Sequence, residues 1–204
     1  MQWPPDPMTL MWIQVATGAM GMLTLVFLFR FILSKFSAST AQEVAVYFSP
    51  KGGCQAAIVR ELMKAKSEIL VQAYSFTADP LTYALVEAKK QGITVDIILD
   101  KSNETDRYSD LSIFLEKGLE VKIDHEHAIA HNKIIIIDQQ VVITGSYNFT
   151  NQAEGENAEN VVVLKGNPAL IAAYRENFMK HRDHAKAAQV RDAVDRRGHL
   201  ARAA

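Results

Sequence analysis

The sequence predicts an α/β domain, with helices packed on both faces of a sheet, carried behind a single membrane-spanning helix. Three observations lead there. Strand-like and helix-like segments alternate between Val44 and His184, as in a layered βα architecture. Residues 134–137 and 161–164 are continuously apolar, the signature of strands buried on both sides. Between Asp6 and Arg30 lie 23 residues without a charge.

The N-terminal run includes Leu10, Met11, Trp12, Ile13 and Val15 and continues through residues 22–29. About 20 apolar residues in a helix cross a bilayer core. Trp3 and Trp12 suit the interface, and Arg30 with Lys35 closes the far end. A cleaved signal peptide is the alternative, with Ser39, Thr40 and Ala41 resembling a cleavage site. It lacks the basic leader that such a peptide carries. Residues 1–36 are therefore expected to form an uncleaved anchor. Positive charge after the run and none before it places the rest of the chain in the cytoplasm; a periplasmic or secreted domain follows from the cleaved alternative.

Residues 37–43 form a polar linker, 44–184 the domain and 185–204 a tail. From Lys180 onward the chain carries seven Lys/Arg and three Asp, which reads as a solvated or frayed helix end. Within the domain the pattern predicts strands at 44–48, 69–74, 93–99, 119–123, 134–137, 141–144 and 160–164. Helices are expected at 55–65, from Asp79 to Lys90, at 108–117 and from Pro168 to His184. Asp79 is read as an N-cap with Pro80 at the first helical position. The turn Lys51-Gly52-Gly53 precedes a helix; it is read as a plain turn rather than a phosphate cradle. Acidic and basic residues balance, 23 against 22, so no basic excess marks a nucleic-acid protein. The single cysteine, Cys54, excludes an internal disulfide framework and reads as a small buried residue beside a turn.

The chemistry concentrates in His131-Asn132-Lys133, Asp138, and Gly145-Ser146-Tyr147-Asn148. Asp138, Gln139 and Gln140 interrupt two apolar strands, so 131–138 and 141–148 form a hairpin. A turn centred near Gln139 puts His131 opposite Tyr147 or Asn148, and Lys133 opposite Gly145 or Ser146. His131 and Lys133, two apart, share a face. An imidazole, an ammonium, a hydroxyl and a carboxamide thus meet at the open end, where Gly145 lets the backbone approach a ligand. Asp138 lies at the closed end, roughly 15–20 Å away by strand rise, where it can cap the turn. A neutral imidazole is a nucleophile and a protonated one a general acid. Lysine, asparagine and a hydroxyl offer charge and donors to non-bridging phosphate oxygens. The set describes phosphoryl transfer with no obligatory metal.

His-x-Lys-x4-Asp-x6-Gly-Ser resembles the signature of the phospholipase D superfamily. Asn148 fits its Gly-Ser-x-Asn extension, and Glu159 fits its downstream acidic residue. Tyr47-Phe48-Ser49-Pro50 and the stretch 73–77 look like the opening strands of the small single-motif members, among them bacterial endonucleases and a membrane-anchored mitochondrial nuclease or cardiolipin hydrolase. The resemblance implies a phospholipase D-like α/β/α sandwich with a mixed central sheet. It implies that His131 attacks phosphorus, that Lys133 and Asn148 hold phosphate oxygens with Ser146 in support, and that Glu159 hydrogen-bonds the other nitrogen of His131. One copy of the motif is present where the family uses two, so a homodimer with a shared active site is expected. The substrate expected first is nucleic acid, with membrane phospholipid, including cardiolipin, as the alternative. An inactive scaffold that binds either is disfavoured, since no motif residue is missing. His125, His127 and His131 make a competing metal-ligand pattern. It would occupy the nucleophile, and a polar loop explains the first two histidines equally well. One cysteine also cannot supply the Cys/His zinc module of the mitochondrial relatives.

Overall fold

The computed structural model describes residues 6–36 and 42–189. Trp3, the linker residues 37–41 with the cleavage-like Ser39-Thr40-Ala41, and tail residues 190–204 lie outside the described residues. Two compact units are present, residues 1–40 and 41–204. The first is one helix, α1 (Pro7–Phe36). Asp6 starts it by accepting from the backbone N–H of Met8 and Thr9 at 3.0 and 3.1 Å, an N-cap on the free amides of the first turn. Its segment Pro7–Arg30 is long and apolar enough to cross a membrane.

The second unit is a mixed eight-stranded sheet in the order β1-β7-β6-β5-β2-β3-β4-β8. Its strands are β1 (Glu43–Phe48), β2 (Glu68–Ala73), β3 (Thr94–Asp100), β4 (Glu120–Asp124), β5 (Lys133–Ile137), β6 (Val141–Gly145), β7 (Asn160–Lys165) and β8 (Lys186–Ala187). β2, β3 and β4 run parallel, each followed or preceded by a helix, and the remaining pairs are antiparallel. The helices are α2 (Cys54–Leu62), α3 (Asp79–Lys90), α4 (Leu111–Glu116), α5 (Asn151–Gly155) and α6 (Pro168–His184).

Strand alternation divides the core. Ile69, Val71, Ile135 and Ile137 face the layer of α2, α3 and α4, with Ile58, Leu81, Leu85 and Phe114. Leu70, Ile98, Ile134, Ile136 and Val142 face Ile171 and Phe178 of α6. The uninterrupted Ile134–Ile137 run is therefore explained: each face of β5 has its own helix layer, so neither set of side chains can be polar.

Several expectations shift. Asp79 is the first residue of α3 and not its N-cap; Ala78 holds that place, and its carbonyl accepts from Leu81 and Thr82. Asp79 and Pro80 sit in the first turn, where a carboxylate still favours the helix dipole. The helix expected at 108–117 is shortened to α4. Tyr108 N–H is taken by the Asp106 side chain and Asp110 N–H by the Phe76 carbonyl, so the backbone is committed elsewhere until Leu111. The tail is not wholly free: Lys186 and Ala187 pair with β4. The Lys51-Gly52-Gly53 segment is a turn, since a Cβ on Gly52 would fall 1.7 Å from the Phe48 carbonyl oxygen. Cys54 is fully buried, and burial, with Glu154 nearby, pushes its thiol up to about 11.

Candidate active site

The hairpin forms with the anticipated register. Ile134 pairs with Thr144 and Ile137 with Val141; continued outward, Lys133 faces Gly145 and His131 faces Tyr147. On the other side of β5, Lys133 pairs with Ala73 of β2, and Asn132 C=O accepts from Tyr74 N–H at 3.0 Å. The His131 ring is exposed and lies against the Tyr74 ring, centroids 4.6 Å apart.

Lys133 is 7 % exposed. Its Nζ donates to the His131 carbonyl oxygen at 2.7 Å and stands 5.3 Å from the centre of the Tyr74 ring. Burial pushes its ammonium below the ordinary lysine value, and the negative charge of Glu159 opposes the shift. Tyr74 thus supports both motif residues, a role that its weak sequence context did not announce.

Across the hairpin, Ser146 Oγ donates to Glu159 Oε2 at 2.5 Å and accepts from Asn160 N–H and Nδ2 at 3.1 and 3.2 Å. Asn157 Nδ2 donates to Glu159 Oε1 at 3.2 Å. Glu159 backbone is pinned in turn: its N–H donates to Ser49 Oγ, and its carbonyl accepts from Ser49 N–H at 3.0 Å. Glu159 therefore stands in the site, but the structure joins it to Ser146 and Asn157, and among the described residues no hydrogen bond links it to the His131 ring. Ser49, 8 % exposed, is a positioning residue that the sequence offered only as part of a four-residue resemblance.

Asn148 lies between buried Tyr147 and Phe149, and Phe149 bridges to Phe76 beyond the end of β2. Its Oδ1 is buried without a hydrogen-bond partner. A buried polar orphan of that kind is what a site waiting for a ligand leaves. Gly145 is also required by the packing of the sheet. A Cβ there would lie 2.1 Å from the Asn160 carbonyl oxygen, so β7 approaches the backbone closely at this position.

Asp138 is remote from this group, as expected, and caps a neighbouring loop rather than its own turn. Its carboxylate accepts from Lys66 N–H, Ser67 N–H and Ser67 Oγ at 2.8 Å each and from Glu68 N–H at 3.0 Å. Those bonds hold its carboxyl below the usual range although burial opposes this. Asp138 thereby ties the closed end of the hairpin to the start of β2.

The competing metal pattern is not assembled. His125 Nε2 meets Glu104 Oε2 at 3.0 Å, His127 Nδ1 meets Asp124, and His131 meets Tyr74.

Residues 58–182 match the family model described as the PLD-like domain of cardiolipin synthase. The chain is 40% identical over 141 residues to a phospholipase D of Rickettsia typhi, covering 69% of each chain. It is 36% identical over 107 residues to the mitochondrial cardiolipin hydrolase of Chlamydomonas reinhardtii, covering 52% of this chain and 48% of that one. Among solved structures, Nuc of Salmonella typhimurium, a phospholipase D family member, superposes with a TM-score of 0.69 at 35% identity, covering 72% of this chain and 99% of Nuc. The chain is a member of the phospholipase D superfamily, a phosphodiester hydrolase.

Proposed function

We propose that the chain cleaves phosphodiesters of nucleic acid as an endonuclease, through a phosphohistidine formed on His131 in a site shared by two subunits. The supporting observation is the meeting of an exposed imidazole, a buried lysine and an orphaned carboxamide at one end of the β5–β6 hairpin. His131 attacks phosphorus and the bond to the leaving oxygen breaks; the second subunit's His131, protonated, gives that oxygen its proton. Water then adds to the phosphohistidine, and the same second histidine takes its proton as the N–P bond breaks. Lys133 and Asn148 hold the non-bridging oxygens, and Ser146 supports them through its hydroxyl. Glu159 steadies the imidazolium by moving a carboxylate oxygen from Ser146 to the ring. These groups supply the electrostatics of the chemical step without a metal.

Two features support pairing of subunits. One chain carries one motif. Edge strand β1 also exposes an apolar row, Val44, Val46 and Phe48 at 51%, 49% and 63%, which ends next to Ser49 and the site. Nucleic acid is favoured by Arg107 and Tyr108, stacked 4.6 Å apart, Tyr108 being 65% exposed. The same loop holds the site's flank, through Asn103 to Tyr74 and Lys101 to the His127 carbonyl. An arginine on an exposed aromatic ring is a platform for a nucleobase. Phospholipid is the second reading, favoured by α1 and by the exposed Ile129 near the nucleophile.

Mixing tests the shared site. His131→Asn abolishes turnover of a chromogenic phosphodiester with the fold intact. Equal amounts of wild type and variant, allowed to exchange, leave about a quarter of the dimers active. Activity near one half means that each subunit works alone, and the shared site is then wrong. Parallel assays on single-stranded DNA, RNA and cardiolipin vesicles decide the substrate.

A further inference from the structure

At the end of β4, away from the catalytic group, Asp124 is surrounded by three imidazoles. Its side chain is fully buried. Oδ2 lies 3.0 Å from His127 Nδ1, 2.8 Å from His181 Nδ1 and 3.2 Å from His184 Nε2. The three rings are 4.7–5.3 Å apart between centroids, and one ligand atom from each of the four residues fits within a 4.8 Å group.

Hydrogen bonding alone does not account for this arrangement. A carboxylate oxygen has two lone pairs, so three ring nitrogens oversubscribe it. His184 Nε2 is the one left over: it is buried and has no hydrogen-bond partner. Oδ1 accepts from Glu126 N–H and His127 N–H at 3.1 and 3.3 Å, with His127 Nδ1 also 3.2 Å away. Backbone amides thus orient the carboxylate through Oδ1, as the outer contacts of a metal ligand do, while Oδ2 faces all three ring nitrogens.

We propose that Asp124, His127, His181 and His184 form a closed, four-ligand zinc site. With zinc–ligand bonds of about 2.0–2.1 Å, the edge of a tetrahedron is about 3.3 Å. The nitrogen-to-oxygen distances fall just inside that value, so small side-chain rotations admit the ion. Three imidazoles with one carboxylate suit zinc among the available divalent metals. Four protein ligands leave no open position, which makes the site structural rather than catalytic. It joins three separate parts of the chain: β4, the loop before β5, and the last turn of α6, where His181 and His184 share a face. His127 is four residues before His131, so the ion fixes the segment that leads to the nucleophile. This pattern differs from the His125/His127/His131 reading and leaves His131 free.

Full-length protein in detergent, loaded with zinc and dialysed against metal-free buffer, is expected to retain about one zinc per chain by elemental analysis. His184→Asn and His181→Asn are expected to lower retention at least ~10-fold, and His125→Asn to leave it unchanged. Cobalt(II) added to the metal-free wild type is expected to give the visible absorption of a tetrahedral site, a readout needing no variant to fold. Zinc is also expected to raise the melting temperature. Wild type that retains less than about a tenth of an equivalent and shows no tetrahedral cobalt bands would overturn the proposal. So would zinc content equally insensitive to all three substitutions. Metal-free protein that still turns over a phosphodiester at 25 °C would separate this site from the metal-independent chemistry at His131.

Discussion

Asp138 belongs to the sequence motif that carries the chemistry, yet its surroundings assign it to stability, and Asp138→Asn distinguishes the two. The carboxylate accepts four hydrogen bonds, three of them from consecutive backbone amides of Lys66, Ser67 and Glu68. Asparagine keeps the shape but has one acceptor oxygen and no charge. Its NH2 group would face an amide donor where an acceptor is needed. Hydrogen bonds to a charged group contribute about 1.5–3 kcal/mol each. Losing one outright and weakening the others is expected to cost about 2–4 kcal/mol. At about 2–4 °C per kcal/mol for a domain of this size, the melting temperature falls by roughly 5–15 °C. Backbone conformation does not confuse the comparison: Asp138 has φ 52°, which asparagine tolerates as well as aspartate. The pH dependence has a definite sign. The folded carboxyl lies below its ordinary value, so its contribution is full above the unfolded pKa of about 4 and is lost as pH falls through the folded pKa. Wild type and variant should therefore converge in stability under acid. Thermal unfolding measured from pH 3 to 7, with kcat at 25 °C, checks both statements. A kcat reduced more than ~100-fold with unchanged stability would place Asp138 in the chemistry and refute this reasoning.

Two further outcomes follow from the same structure. Gly145→Ala sets a Cβ 2.1 Å from the Asn160 carbonyl oxygen, so β6 and β7 must separate next to Ser146 and Glu159; a loss of about 1–3 kcal/mol in denaturant unfolding should accompany a fall in kcat, and a variant as stable and active as wild type contradicts the close approach. For α1, Arg30 closes the apolar segment, and the positive-inside rule predicts a cytoplasmic catalytic domain; residues 41–204 should then resist protease added to intact spheroplasts, and digestion there reverses the orientation.

Legibility in the sequence followed the range of the interactions involved. The β5–β6 hairpin was readable because apolar periodicity and a three-residue polar interruption are local, and together they fix register. The two-sided burial of Ile134–Ile137 was readable because a strand between two helix layers cannot carry polar residues on either face. The strand β8 was not readable: two residues owe their conformation to β4, and Lys186 and Ala187 have no strand signal of their own. Nor was α5 anticipated, although Thr150 caps it by accepting from Ala153 N–H; a single turn has little periodicity to detect. The histidines show the same limit. His125, His127 and His131 stand close in sequence but scatter, because loop residues have no fixed direction. His127 instead meets His181 and His184, more than 50 positions along the chain, brought there by packing of α6 on the sheet.

The catalytic group carries this reasoning one step further. In the single subunit its polar atoms are partly satisfied by one another: Lys133 donates to the His131 carbonyl, and Ser146 donates to Glu159. In the proposed mechanism a phosphodiester displaces the first of these bonds to reach the ammonium. That exchange is favourable because an ion pair with phosphate replaces a bond to a neutral carbonyl, at a position where Lys133 is otherwise shielded from water. Moving Glu159 from Ser146 to the imidazole costs a short hydrogen bond, and it becomes favourable once the ring is positive. In the proposed mechanism the carboxylate is then better bound to His131 after attack than before it, which is the differential stabilisation that accelerates a chemical step. Under the proposed mechanism, Glu159→Gln should lower kcat far more than it raises KM.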